Sequence, residues 1–382
     1  MTVSMRELNR ATLARQMLLR REAVPAADAV RRVVAVQAQE PASPYIALWN
    51  RLDGFDPAEL DAAFASAAIV KGTSLRITLH AVHAADYPDF HQAMQPSLRA
   101  ARLLDKRFVP SGLTAAQAED LIGDLLEFAA LPRSNAEMEQ WLAGRVSGEA
   151  KAAWWALRTF APVRHAPGGG PWTFTPRPLY VAAGIAPSSG DRELSDAALR
   201  VLARRYLEGF GPASAADLAR FALVQVTRAR AALAALASSL DVLDGPGGVT
   251  LYDVPGGPRP PGDPPAPARL MAMWDSVLLA YAQQGRVIPE DYRKLLARSN
   301  GDVLPALLVD GMVAGVWRTL DGGLEATAFR PLPACAWDEL AGEAAALLAL
   351  LAERDPRPYR RFDRWWDGLP AAEVRVLGPG NI

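Results

Sequence analysis

The feature that most limits the fold of this 382-residue chain is an order of elements that recurs three times: helix, helix, helix, then a short β ribbon. At each ribbon the apolar spacing changes from a helical period to a strand period. In the first unit, residues 8–19 read as a helix, 26–37 as a second opened by Pro25, and 44–52 as a third, with 69–75 and 77–82 as paired strands. The second unit runs 115–128, 135–142 and 149–160, followed by a strand at 163–165, a tip at Gly168-Gly169-Gly170 and a strand at 172–175. In the third, Leu199, Leu202, Tyr206 and Phe210 form one stripe, Gly211-Pro212 breaks the helix, and helices follow at 214–224 and 227–240. Strands at 240–243 and 249–254 flank the tip Gly245-Pro246-Gly247-Gly248.

Three helices plus a ribbon is the winged-helix plan, and three copies in a row suit a surface that tracks along a duplex. The expected fold is therefore α+β and mainly helical, with units at 1–112, 113–190 and 191–255. Seven prolines between Pro255 and Pro267 predict an extended, semi-rigid linker over 256–268. A C-terminal β-containing module at 269–382 follows, with strands 307–309 and 312–317 around Asp310-Gly311, a second turn at Asp321-Gly322-Gly323 and a helix over 337–352.

Cys335 is the only cysteine, which excludes an intrachain disulfide, a redox pair, a cysteine-ligated zinc site and an iron–sulfur cluster. The polar start MTVSMRELNR and the lack of any apolar run near the roughly 20 residues of a membrane span point to the cytoplasm and no membrane. A net charge of -1 argues against a strongly basic nucleic-acid coat, yet 37 of the 41 basic residues are Arg. Arginine favours bidentate phosphate and base contacts, although a GC-rich genome produces the same bias. Residues 1–40 hold seven Arg against Glu7, Glu22, Asp28 and Glu40, a local footing for DNA.

Gln37 stands out because Val30, Val33 and Val34 define an inward stripe on which position 37 also falls. A buried amide there must find partners. One reading has it bond the open carbonyls of its own helix end; another makes it chemical. Gln39 would lie about 200° around a continuous helix from Gln37, so cooperation needs the helix to end between them, and Pro41 supplies a reason. Two neutral amides cannot act as a base, but they can hold a water in place for a substrate that is already activated. A purine alkylated at N7 or N3 is such a substrate, because its positive charge makes it a good leaving group. Glu40 reads as a solvated acid at a helix end rather than a general base.

Gln37-Ala38-Gln39 resembles the glutamine, aliphatic, glutamine motif of the AlkZ-like bacterial DNA glycosylases. LNRATLARQMLL at 8–19, SPYIALWNRL at 43–52, KGTSLRITLHAV at 71–82, FGPASAADLARF at 210–221 and MWDSVLLAYAQQGRVIP at 273–289 are also similar to that family. The resemblance implies three tandem winged helices forming a concave DNA-binding face, with Gln37 and Gln39 hydrolysing the N-glycosidic bond. A glutamine at the second position resembles the branch that includes self-resistance enzymes of producers of DNA-crosslinking, azinomycin-type natural products.

Around that motif, Lys71, Arg76, Thr78 and His80 fall on the first ribbon, placed to touch a groove or phosphates, or merely to protect a sheet edge. Arg228 and Arg230 follow Thr227 as an N-cap, as in a recognition helix. Trp274, Asp275 and Arg286 contact DNA or brace the site, core packing for Trp274 and an Arg286–Asp275 ion pair being the simpler readings. His80, His83 and His91 lack a carboxylate at a metal-binding spacing, and no metal or cofactor is expected. The glycine clusters read as wing tips rather than phosphate loops.

The expected activity is that of a monofunctional DNA glycosylase acting, as a monomer, on alkylated purines in duplex DNA, in repair or in self-resistance, and leaving an abasic site; nucleoid association would follow. A noncatalytic winged-helix regulator reading an operator through Arg228 and Arg230 is the alternative. A protein that sequesters a drug or its DNA adduct is a third reading.

Overall fold

The computed structural model describes residues 2–261, 263–282 and 285–378. Gly262 of the proline-rich segment and Gln283-Gln284 of the 273–289 segment lie outside them. The fold is mixed α+β and mainly helical, with several small sheets, an arrangement consistent with three winged-helix units in tandem.

The first region contains α1 (Met5–Arg15), α2 (Ala26–Arg32), β1 (Val36–Gln37), α3 (Ser43–Trp49), α4 (Pro57–Ala65), β2 (Ile69–Thr73), β3 (Leu79–His83) and α5 (Tyr87–Leu103). A capping box between Ser4 and Glu7 opens α1. The expected helix over 26–37 stops at Arg32, and β1 joins the sheet β1-β3-β2 instead. Two helices were not anticipated. Asp56 caps α4 with Pro57 in its first turn, a local signal that was there to be read; α5 carries Pro96 within it, which disguises its helical period.

Next come α6 (Ala115–Phe128), β4 (Arg133–Ser134), α7 (Asn135–Ala143), α8 (Ala150–Phe160), β5 (Val163–Ala166) and β6 (Leu179–Ala182). Capping boxes at Thr114 and Ser134 start α6 and α7 where the sequence places them. The partner of β5 is β6, not residues 172–175. Trp172 and Phe174 are drawn into the core, with Thr173 left-handed between them (φ 66), and Phe174 packs edge-on against Phe64.

The third region holds α9 (Arg192–Phe210), α10 (Ala215–Ala222), α11 (Val226–Leu236), β7 (Asp241–Asp244) and β8 (Thr250–Asp253), the last two paired. The residue capping α11 is Gln225 rather than Thr227. The described residues of 255–267 run without helix or strand, but they are no free spacer: Asp263 accepts from Arg6 Nε at 2.8 Å and Arg10 Nε at 3.0 Å.

The remainder comprises β9 (Arg269–Leu270), α12 (Ser276–Leu279), α13 (Arg293–Leu296), β10 (Ala306–Val309), β11 (Met312–Leu320), β12 (Gly323–Ala328), α14 (Ala334–Ala352) and β13 (Glu373–Leu377). Its five strands are ordered β13-β12-β11-β10-β9. Asp310 (φ 53) and Gly311 (φ 76) make the tight turn expected between β10 and β11. That turn seats on α1, where the side-chain amide of Asn9 donates to Gly311 O at 2.9 Å and to Arg286 O at 2.7 Å. Arg15 of α1, almost wholly buried, grips Asp253 at 2.8 and 2.9 Å and donates to Leu207 O at 2.8 Å. The first helix thus bridges the third region and the C-terminal sheet. One continuous apolar core runs through all four regions.

Candidate active site

The glutamine segment owes its shape to a helix that ends early. Val34 adopts a left-handed backbone (φ 75), a conformation that costs a β-branched residue about 1–3 kcal/mol. Helix α9 holds it there. A Cβ at Gly209 would lie 2.5 Å from Val34 Cγ2, so the glycine is what lets the two backbones approach. Gln16 secures the same spot by donating from Nε2 to Gly209 O at 2.8 Å. The Ser276 hydroxyl then donates to Ala35 O at 2.7 Å, tying the segment to α12.

Beyond Ala35 the chain is extended. Val36 pairs with Ala81 and Gln37 with His80, and Ala38 N–H donates to Leu79 O at 2.8 Å. The strand ends at Gln37 and the chain bends at Gln39 and Glu40, so the two amides stand at a strand end and on the bend after it, not on either side of a helix end. Gln37 is 4% exposed, and its Oε1 accepts the Gln39 N–H at 2.8 Å. Gln37 therefore does not cap its own helix. Among the described residues its side chain makes no other hydrogen bond, and the exposed Gln39 amide makes none. One lone pair of Gln37 is spent on holding the turn; its NH₂ and the whole Gln39 amide remain for a ligand.

Glu40 is buried rather than solvated. Burial pushes its carboxyl up, while the ion pair with Arg361, on the 3-10 turn Arg360–Trp365, and the charge on Lys71 pull it down. A neighbouring clasp joins the Tyr359 and Ser43 hydroxyls at 3.0 Å, with Met273 N–H donating to Tyr359 at 3.3 Å. The C-terminal region therefore closes over the glutamine turn from one side.

The remaining expected site residues are not gathered around one point. His80 lies beside Gln37, buried, and burial pushes it down to about 4. Its Nδ1 is 3.1 Å from Thr78 O, and since a carbonyl can only accept, Nδ1 carries the proton and Nε2 is left as an acceptor. Thr78 donates to Leu75 O at 3.3 Å. Lys71 pairs with Ala81, which places it on the opposite face of the sheet from His80. It is 3% exposed with Nζ 4.0 Å from the Phe174 ring centre, and burial pushes its amine down to about 7. It has no route to a phosphate.

Arg76 is half-buried and lines an open cleft. On α11, Arg230 is exposed, whereas Arg228 is buried against Asp196, its Nε donating at 2.7 Å. Arg286 is also buried: it donates to Pro212 O at 2.9 Å and stacks 4.0 Å from the Tyr281 ring centre, so it braces the fold. The expected partner of Arg286, Asp275, instead receives Arg51 through two bonds of 2.8 Å. Sequence reasoning missed Arg361, Tyr359 and Arg220. Only Arg220 carried a signal, since it sits within the segment 210–221 already singled out.

A family model described as DNA glycosylase AlkZ-like matches residues 30–350. Among solved structures, the Streptomyces sahachiroi DNA glycosylase AlkZ superposes with a TM-score of 0.75 at 20% sequence identity, over 94% of this chain and 99% of that one. At that identity the likeness is one of fold. No curated protein matches the chain.

Proposed function

The chain belongs to the AlkZ-like DNA glycosylase family, and from that we propose that it hydrolyses the N-glycosidic bond of cationic, N7- or N3-alkylated purines in duplex DNA. Gln37 and Gln39 hold the attacking water. The observation that carries this reading is the turn in which Gln37 Oε1 is fixed by the Gln39 N–H at 2.8 Å while both amides keep donors and acceptors to spare. Water oxygen bonds to C1′ as the C1′–N bond breaks, and its electron pair neutralises the cationic ring, so the base leaves uncharged. The water proton passes to solvent. An abasic site remains, and the chemistry calls for no cofactor, no metal and no lysine adduct.

Incubation with duplex DNA containing N7-methylguanine tests the mechanism: intact base is released, and Gln37→Ala or Gln39→Ala slows single-turnover release by about 100-fold or more, with duplex affinity largely retained. Undiminished release by both variants sinks it. A panel of methylated, bulky-monoadduct and interstrand-crosslinked duplexes then assigns the lesion. Release from the last two supports a role in self-resistance; release from the first alone supports general repair.

The regulator reading is weaker, because of its two recognition arginines Arg228 is buried and paired with Asp196. Arg76, Thr78 and Arg230 are kept as DNA contacts in the proposal, with unit boundaries near residues 112, 190 and 255. No described helix is long and apolar enough to cross a membrane. Monomeric, nucleoid-associated action is the simplest form of the reading, and light scattering with and without duplex checks the first part.

A further inference from the structure

A cleft of about 1140 Å³ opens beside the glutamine segment. It shares α12 with that segment, since Leu278 and Leu279 line it while Ser276 holds Ala35. It shares the β2–β3 connection too, through Arg76. Its charge is lopsided: Arg76, Arg220, Arg293, Lys294 and Arg298 line it, against the acids Glu290 and Asp291. Arg298 is partly engaged, donating to Trp365 O.

Three residues of this cleft come from distant stretches of chain. The 3-10 turn Leu75–Ile77 packs against α10 and brings Arg76 to Arg220, and Arg293 joins them from α13. Each like charge works against the next. Arg76 is pushed down to about 10 by burial and by Arg220, and Arg220 is lowered by burial and by Arg293. The backbone is strained at the same point, with Arg76 (φ 56) and Ile77 (φ 60) both left-handed and Ile77 β-branched. Among the described residues neither Arg76 nor Arg220 has a carboxylate partner. Holding Arg76 on a strained turn against Arg220 costs the fold stability, and a polyanionic ligand is what would offset that cost.

We infer that this cleft is a cradle for the phosphodiester backbone of one DNA strand, gripped by Arg76 and Arg220 with Arg293 beside them, next to the glutamine site and separate from it. The inference rests on the reading of the chain as a DNA-acting enzyme. A strand whose sugar lies at Gln37 and Gln39 carries a phosphate on either side of that nucleotide, and the cleft is a concave basic surface that shares α12 with their segment. An open basic trough with an apolar floor suits a run of phosphates and sugars better than a single small anion.

Binding of undamaged duplex, measured over a salt series, tests the cradle without any turnover. Arg220→Gln, at an exposed helical position, and Arg76→Gln should each weaken binding and lower the slope of log affinity against log salt by about one unit. Arg145→Gln, which removes an exposed charge outside the cleft, should leave the slope unchanged. Should Arg76→Gln unfold the strained turn, which a thermal melt reports, Arg220→Gln decides alone. An unchanged slope in Arg220→Gln overturns the proposal. So does a result in which inorganic phosphate binds and is lost in Arg220→Gln while the duplex slope stays put, which assigns the cleft to a free anion. A protein that binds duplex through these arginines yet releases no alkylated base keeps the cradle and loses the glycosylase reading, so the two failures are distinguishable.

Discussion

Single residues in this protein are defined by what encloses them more than by their chemical type. Lys71 and Arg230 were both expected at the DNA, but one is sealed beneath Phe174 and the other stands in solvent. The Lys71 amine is pushed down to about 7 from 10.5, so the unfolded chain holds its proton more tightly. Its contribution to stability is therefore present above pH 10.5 and is lost as pH falls toward 7. Lys71→Met should raise the melting temperature at pH 7 and flatten the rise in stability between pH 7 and 10.5, while the salt dependence of duplex binding stays as it was. A melting temperature that drops together with that slope would instead make Lys71 a phosphate contact. Gln37 was legible as a buried amide because three valines mark its side of the chain. That it sits on a strand was not legible, since Val-rich residues 33–36 fit a helical stripe and an extended run equally well.

Elements whose signals are local matched the sequence, and those settled at a distance did not. Helix α6 begins at its Thr114–Gln117 capping box and the β10–β11 turn forms at Asp310-Gly311, both within four residues of chain. By contrast, residues 172–175 have the aromatic alternation of a strand, yet the core claims Trp172 and Phe174 and leaves the pairing to β6. The end of α2 is likewise decided by Gly209, on a helix far along the chain. Gly209→Ala sets a methyl 2.5 Å from Val34 Cγ2 and should destabilise by about 1–3 kcal/mol in urea unfolding. Because the displaced Val34 leads directly into β1, base release should fall in the folded variant too. Adding Val34→Ala removes the clashing methyl and should restore part of both losses; no recovery would mean that the glycine serves something other than this approach.

Across the whole molecule, three of the four histidines are held neutral: His80 and His91, both buried, are pushed down to about 4 and about 3, and the half-buried His165 to about 3, in each case chiefly by loss of contact with water. In the unfolded chain they titrate near 6.5, so stability is complete above that pH and drains as pH falls through 6.5 toward 3. Acid titration of urea unfolding should show it, and His80→Gln should remove on the order of 3 kcal/mol of the total pH dependence, the equivalent of its displacement from 6.5 to about 4. A wild-type curve flat between pH 6.5 and 4 would contradict this. The same wholeness has a history in time. Helix α1 keeps Asn9, Arg10 and Arg15 buried, and Asn9 meets its partner Gly311 across 302 residues. On a ribosome adding about 5–20 residues per second, α1 emerges roughly 15–60 s before the hairpin it grips. Until that hairpin arrives, Asn9 lacks the carbonyl partners that hold it in the folded chain, so α1 is made long before it can be seated.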